Sequence, residues 1–182
     1  KLGLFTDPFR YCNKERAANQ VLSEKQKNAA REFATKSFVL LKNNQQALPL
    51  KKTGTIALVG PLANNKANML GTWAVSGNRD LSIPVFDGMK NLGIKEVNIL
   101  YAKGANISDD TIFAKKVNVF GTRIDIDNRS AQEMMDEAIA VAKQSDVIVA
   151  VVGEASEMSG ESASRSSIII PQNQKKLLKE LK

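Results

Sequence analysis

Three short apolar runs punctuate the chain: Thr55–Val59 (TIALV), Val97–Tyr101 (VNILY) and Val147–Val152 (VIVAVV). Nearly continuous β-branched and aliphatic runs of this length predict strands buried on both faces, as in parallel sheets covered by helices. Helical patterns stand between them. Ser23 and Gln26 form a capping box ahead of a stripe of Ala29, Ala30, Phe33 and Ala34. Pro84–Leu92 reads as a short helix closed by Gly93, a favoured residue just past a helix end. Ser130 and Glu133 form a second capping box, opening a helix through Lys143 with Met134, Ala138, Ile139 and Ala142 on one face. A last helix begins at Pro171, a favoured first helical residue, and its Lys175, Lys176, Lys179 and Lys182 mostly face solvent. Strands alternating with helices predict a parallel α/β architecture. The final helix carries no closing glycine and no strand follows it, so the sheet is expected to continue beyond this chain.

The remaining stretches lack a sustained period. Lys1–Leu22, with Phe5, Phe9 and Tyr11, reads as an extended arm whose aromatics pack on something else. Ser37–Leu41 suits either a strand or the last turns of the preceding helix, and Asn43–Asn44 marks a stop. Leu62–Arg79 is a long polar loop around Trp73, which reads as a hydrophobic plug or as a platform for a sugar, the plug slightly ahead. Residues 105–128 break the rhythm, and the alternating VNVFGTRIDID suggests a small hairpin or an excursion over the sheet. Asp125 and Asp127 lack the glycine and terminal glutamate of a calcium loop, so they read as a solvated turn.

Composition narrows the chemistry. With 182 residues, 43% hydrophobic and 25% charged, the chain suits one ordinary globular core, and no stretch approaches a membrane span. The net charge of +7 is spread along the chain, and aromatics make up only 5%, which argues against nucleic acid as a partner. Cys12 is the single cysteine, so no internal disulfide forms. The absence of histidine excludes Ser–His and Cys–His catalysis and argues against a zinc site. Neither Gly60-Pro61 nor Gly153-Glu154 belongs to a phosphate-binding motif, and no cofactor is implied. Acid–base work must come from carboxylates, lysine or tyrosine.

The carboxylates gather after the third strand. Glu154, Glu157 and Glu161 follow it in a loop rich in Ser, Gly and Ala, at the strand end where open α/β sheets hold ligands. By composition alone this is a polar surface loop. A glutamate there can also act as a general acid, and glycoside hydrolysis needs two carboxyl groups, which in retaining enzymes lie about 5–5.5 Å apart.

Several segments together resemble glycoside hydrolase family 3, especially its bacterial β-glucosidase branch. They are GLFTDPFRY, AAREFATKSFVLLKNNQQALPL, IALVGPLANNK and VIVAVVGEASEMSGESASRSSIIIPQNQKKLL. The resemblance covers nearly the whole chain, with 105–128 the least recognisable part. It implies a three-layer α/β sandwich with a mostly parallel sheet, incomplete here: residues 1–22 as a linker arm leaving an absent barrel domain, and 23–182 as the first part of the sandwich. It also implies a retaining exo-acting β-glycosidase whose aspartate nucleophile lies in that barrel, acting on a β-linked gluco-oligosaccharide or aryl glucoside.

By the same resemblance, Gly160-Glu161-Ser162-Ala163-Ser164-Arg165 matches the acid/base segment, which assigns the general acid/base to Glu161. Ser162 and Ser164 replace the family's usual glycine and aspartate. Glu157 is the second choice, and Glu154 is read as orienting the loop. Arg165, which holds the loop or tunes the glutamate, and Trp73 are the substrate-binding candidates. No metal is implied. Exported relatives suggest the periplasm or secretion, and the isolated segment is expected to be inactive. The alternatives are a non-catalytic doubly wound binding or structural domain, and β-xylosidase specificity. The hexosaminidase branch fits least, since it generally places its acid/base in the barrel.

Overall fold

The computed structural model describes residues 1–74, 76–118, 124–161 and 163–182. It falls into two compact units, Lys1–Leu50 and Lys51–Lys182. The first holds helices α1 (Lys14–Gln20) and α2 (Glu24–Ser37). α1 interrupts the expected extended arm: the Asn13 side chain accepts the Arg16 N–H at 2.7 Å, and the good helix formers Lys14–Ala18 follow this cap. Ser23 caps α2, accepting the Gln26 N–H, but its own N–H bonds Gln20 O, so only half of the expected capping box forms. The helix stops at Ser37, and Phe38 is already extended, so Phe38–Leu41 is neither strand nor helical turn. Within this unit Phe5, Phe9, Phe33 and Phe38–Leu41 are exposed, and neither helix buries a residue.

The second unit is built on a three-stranded parallel sheet in the order β2-β1-β3, with β1 Gly54–Val59, β2 Val97–Ala102 and β3 Val147–Ala150. Ile56 pairs with Ile99 on one side and Val147 on the other, and Val59 with Ala102 and Ala150. As the central strand, β1 is buried on both faces: Ile56 through Val59 are at most 4% exposed. Full burial of a side chain such as Leu58 contributes about 1.5–3 kcal/mol. Gly60, at φ +114°, ends the strand against the Val151 backbone, where an added Cβ would lie 2.2 Å from the carbonyl oxygen.

Alternation along the strands sorts the two faces. Ala57, Val59 and Ala102 form one cluster with Met135 and Ala138 of α5 (Ala131–Lys143) and Leu177 of α6 (Gln172–Glu180). On the opposite face Tyr101, beside Leu58, meets Phe86 of α3 (Val85–Asn91) with ring centroids 5.2 Å apart. Helices thus cover both faces, which is the three-layer α/β arrangement the sequence implied. The α5 capping box is complete, with Ser130 accepting the Glu133 N–H and Glu133 accepting the Ser130 N–H. Pro171 sits one position earlier than expected, as the N-cap of α6.

Residues 105–128 open on structure that the pattern did not predict. They contain a helix, α4 (Thr111–Val117), capped by the Asp110 side chain, which accepts the Phe113 N–H at 2.9 Å. Part of the alternating stretch, 119–123, lies outside the described residues. The Asn118 amide closes the segment by bonding both the N–H and the carbonyl of buried Ile124.

Asp127 is not a solvated turn residue. Arg129 donates Nε and a terminal nitrogen to its two oxygens at 2.9 Å each, Lys103 approaches to 3.4 Å, and Arg129 also reaches Glu137 of α5 at 2.7 Å. The Arg129 side-chain hydrogen bonds first, then the Arg129 N–H, hold the Asp127 carboxyl well below the usual carboxylate range. Such a group binds fewer protons folded than unfolded at mildly acid pH. Its contribution is complete above the unfolded pKa of about 3.9 and is lost as pH falls toward the folded value. Asp127→Asn should therefore flatten the fall of the urea midpoint between about pH 5 and pH 3 relative to wild type. An unchanged slope would remove Asp127 from the acid response.

Candidate active site

The acidic loop leaves β3 at the carboxyl edge of the sheet, where Val151 still donates to Val59 O at 2.8 Å. Its base is fixed by Gln174, which has no exposed surface. The Gly153 N–H donates to Gln174 Oε1, and Gln174 Nε2 donates to the carbonyls of Gly153 and Ile107, each at 2.8 Å. Next to it Asn173 donates to Asn106 O at 2.8 Å. The first turn of α6 thereby joins the exits of β2 and β3.

A second fastening crosses the loop. Arg165 forms an ion pair with Glu154 and donates to Ile169 O at 2.8 Å. The pair and this bond join the start of the loop to its end.

A third fastening comes from the loop after β1. Asn68 Oδ1 accepts the Ser156 N–H at 2.9 Å, and the Ser156 hydroxyl lies 3.3 Å from the same oxygen and 3.4 Å from Glu157 Oε1. The Thr72 hydroxyl shares its proton between the carbonyls of Ser156 and Ser159. Gly160 is seated against Thr72 at φ +93°; an added Cβ would lie 2.9 Å from the threonine methyl. The backbone on the N-terminal side of Glu161 is therefore clamped, while the Glu161 residue is exposed.

Glu157 and Glu161 line one cleft of about 860 Å³, with Arg165 and Met158 from the same loop. α4 supplies Phe113, Lys116 and Val117, and Asp109 and Asn173 are among its other polar lining residues. Two glutamates beside two cations suit proton exchange with a polar ligand. Trp73 is 70% exposed and does not line this cleft, so within its unit it is no buried plug. Among the described residues no group of three or more Cys, Asp or Glu side chains comes together as a metal site.

Sequence patterning did not reveal Asn68, Thr72 or the α4 wall. Asn68 and Thr72 belong to a loop without a period. The cue for α4 was Asp110 ahead of Thr111, an N-cap overshadowed by the alternation that follows.

The sequence pattern of the glycosyl hydrolase family 3 C-terminal domain matches residues 38–182. Over its whole length the chain is 44% identical to the periplasmic beta-glucosidase of Salmonella typhimurium, covering 24% of that protein. It is also 31% identical, over 100% of the chain, to a beta-xylosidase of Formosa agariphila, covering 23% of that protein. Among solved structures, a beta-glucosidase involved in saponin metabolism from intestinal bacteria superposes with a TM-score of 0.77 at 34% identity, over 98% of this chain and 25% of that one. The beta-glucosidase from Listeria innocua in complex with isofagomine does so with a TM-score of 0.76 at 28% identity, over 98% of this chain and 22% of that one. The chain thus spans about a quarter of the length of these relatives.

Replacing Gln174 by Leu leaves the Gly153 groups and the buried Ile107 carbonyl without this partner. Gln174→Leu should cost about 2–4 kcal/mol, since each unpaired buried group costs about 1–3 kcal/mol. Urea unfolding should show a lower midpoint at unchanged slope. A variant as stable as wild type would show that other groups take over those bonds.

Proposed function

The chain belongs to the glycosyl hydrolase family 3 C-terminal domain family, and from that premise we propose that it supplies the general acid/base of a retaining exo-acting β-glycosidase of β-glucosidase type. Glu161 carries that role. The supporting observation is its placement: it lines a cleft at the carboxyl edge of a parallel sheet, on a loop fastened to its neighbours at Gly153, Ser156 and Ser159. Among the described residues no ion pair engages it, because Arg165 is paired with Glu154. Glu157 lines the same cleft and is the second choice.

The aspartate nucleophile belongs to a barrel domain outside this chain. Residues 1–22 are the arm leaving that barrel, and 23–182 the first part of the sandwich. The exposed Phe5 and Phe9 fit an arm that meets another surface. Glu161, protonated, donates to the departing glycosidic oxygen while the aspartate attacks the anomeric carbon. Once ionised, it takes a proton from the water that releases the sugar. Arg165 serves this step by holding the loop, and Trp73, exposed outside this cleft, is the other candidate substrate contact.

The substrate is a β-linked gluco-oligosaccharide or aryl glucoside, in line with the beta-glucosidase relatives, one of which was solved in complex with laminaribiose. The Formosa agariphila relative keeps β-xylosidase specificity as the second reading. The Salmonella relative's name supports the periplasm. Among the described residues no helix is long and apolar enough to cross a membrane.

In the full-length enzyme, Glu161→Gln should lower kcat/KM by about 10²–10⁴-fold for glycosides with poor leaving groups. A dinitrophenyl glycoside, which departs without protonation, should lose far less at the glycosylation step. Equal losses on both would overturn the acid assignment. Azide should restore turnover of the dinitrophenyl glycoside by Glu161→Ala and yield the glycosyl azide. The chain by itself should hydrolyse neither.

A further inference from the structure

We propose that Thr72, in the loop after β1, is a positioning residue for the acid/base: it sets where the Glu161 carboxyl group stands without touching the substrate. The inference rests on the reading that the acid/base belongs to the loop after β3. Thr72 does not line the cleft shared by Glu157 and Glu161, so what it does there it does through the backbone.

Two contacts carry that effect. The Thr72 hydroxyl shares its one proton between the carbonyl oxygens of Ser156 and Ser159, which bracket the short turn Ser156–Met158. The Thr72 methyl group stands against Gly160, the residue just before Glu161, so closely that any side chain there would meet it. Gly160 also holds φ +93°, a conformation that residues with a Cβ rarely adopt. Threonine at 72 and glycine at 160 are therefore a matched pair: one lacks a side chain where the other presses on the backbone. The hydroxyl holds the turn, and the methyl limits how the chain leaves it. Sheet order makes this possible across 84 and 87 residues of sequence. β1 and β3 are parallel neighbours, so the loops that follow them leave the sheet side by side. Glu161 is exposed, and among the described residues no ion pair engages it. Its backbone is the handle by which the fold aims it.

The test uses the full-length enzyme with two glycosides of whichever sugar it hydrolyses, one alkyl and one dinitrophenyl. Thr72→Val keeps the shape and removes the hydroxyl. A displaced acid fails where protonation is needed, so kcat/KM for the alkyl glycoside should fall about 10–100-fold, the scale of a misplacement of about 1 Å. The dinitrophenyl glycoside, which departs without protonation, should change little at the glycosylation step. Thr72→Ser keeps the hydroxyl and should restore most of the alkyl activity. Gly160→Ala, pressed against the methyl, should show the same selective loss, and adding Thr72→Ser, which removes that methyl, should recover part of it. If Thr72→Val lowers the urea midpoint too far to be assayed, the Gly160→Ala pair decides alone. A residue that only holds the fold together would lower both substrates alike. Equal losses on both, or no loss on either, would overturn the proposal even if Glu161→Gln behaves as the acid should. A selective loss in Thr72→Val beside a Glu161→Gln variant without leaving-group dependence would retain the clamp and transfer the acid to Glu157, which the bracketed turn carries. No leaving-group dependence in any variant would remove both.

Discussion

The amide of Gln174 sits where no water reaches, and it satisfies three backbone groups at once. Where a parallel sheet ends, its outgoing strands leave polar groups that must find partners or carry a penalty. At Gly153 the partner is this side chain, bonded to both the N–H and the carbonyl in the manner of a neighbouring strand. The same amide reaches the exit of β2 at Ile107. Helix α6 is therefore docked not only by Leu177 in the apolar core but by a polar lock at its first turn. Everything between Gly153 and Pro171, the acidic loop included, is a closed span with both ends held by one residue.

That span is fastened again along its length by interactions of different strength. The Arg165–Glu154 pair is partly open to solvent, and such pairs contribute little to stability, about 0–1 kcal/mol. Its value is geometric. The bonds from Asn68 and Thr72 act on the backbone itself and fix Ser156 and Ser159, and the intervening Glu157 and Met158 line the cleft. On the other side of the sheet exits, the Asp127–Arg129–Glu137 chain ties the segment after α4 to α5. The cleft lies between two segments that are each anchored independently.

The framework was legible because burial imposes strict patterns. Runs such as TIALV have no other stable place than between two layers, and the Ser130–Glu133 box marks a helix start by its own chemistry. Short helices were harder. α1 and α4 are single-cap, two-turn elements, and a stripe of apolar residues cannot establish itself over so few positions. The clamps at Asn68 and Thr72 left no trace, since a side chain that bonds a distant backbone needs no period and no particular neighbours. Glu161 was singled out by resemblance, not by patterning, which saw only a polar loop.

The strand order has a cost in time. β1 is synthesised first and lies between its two partners, so neither edge can be paired until later chain exists. The β3 side waits longest: the Thr55 N–H finds the Asp146 carboxylate 91 residues further along, the same separation that joins Ile56 to Val147. Closing such distant contacts is slow, because chain entropy is spent before pairing returns any energy. During that interval the most buried strand of the unit is an open edge, a template for other chains as much as for its own. Assembly of this domain is thus a race between β3 arriving and β1 finding the wrong neighbour.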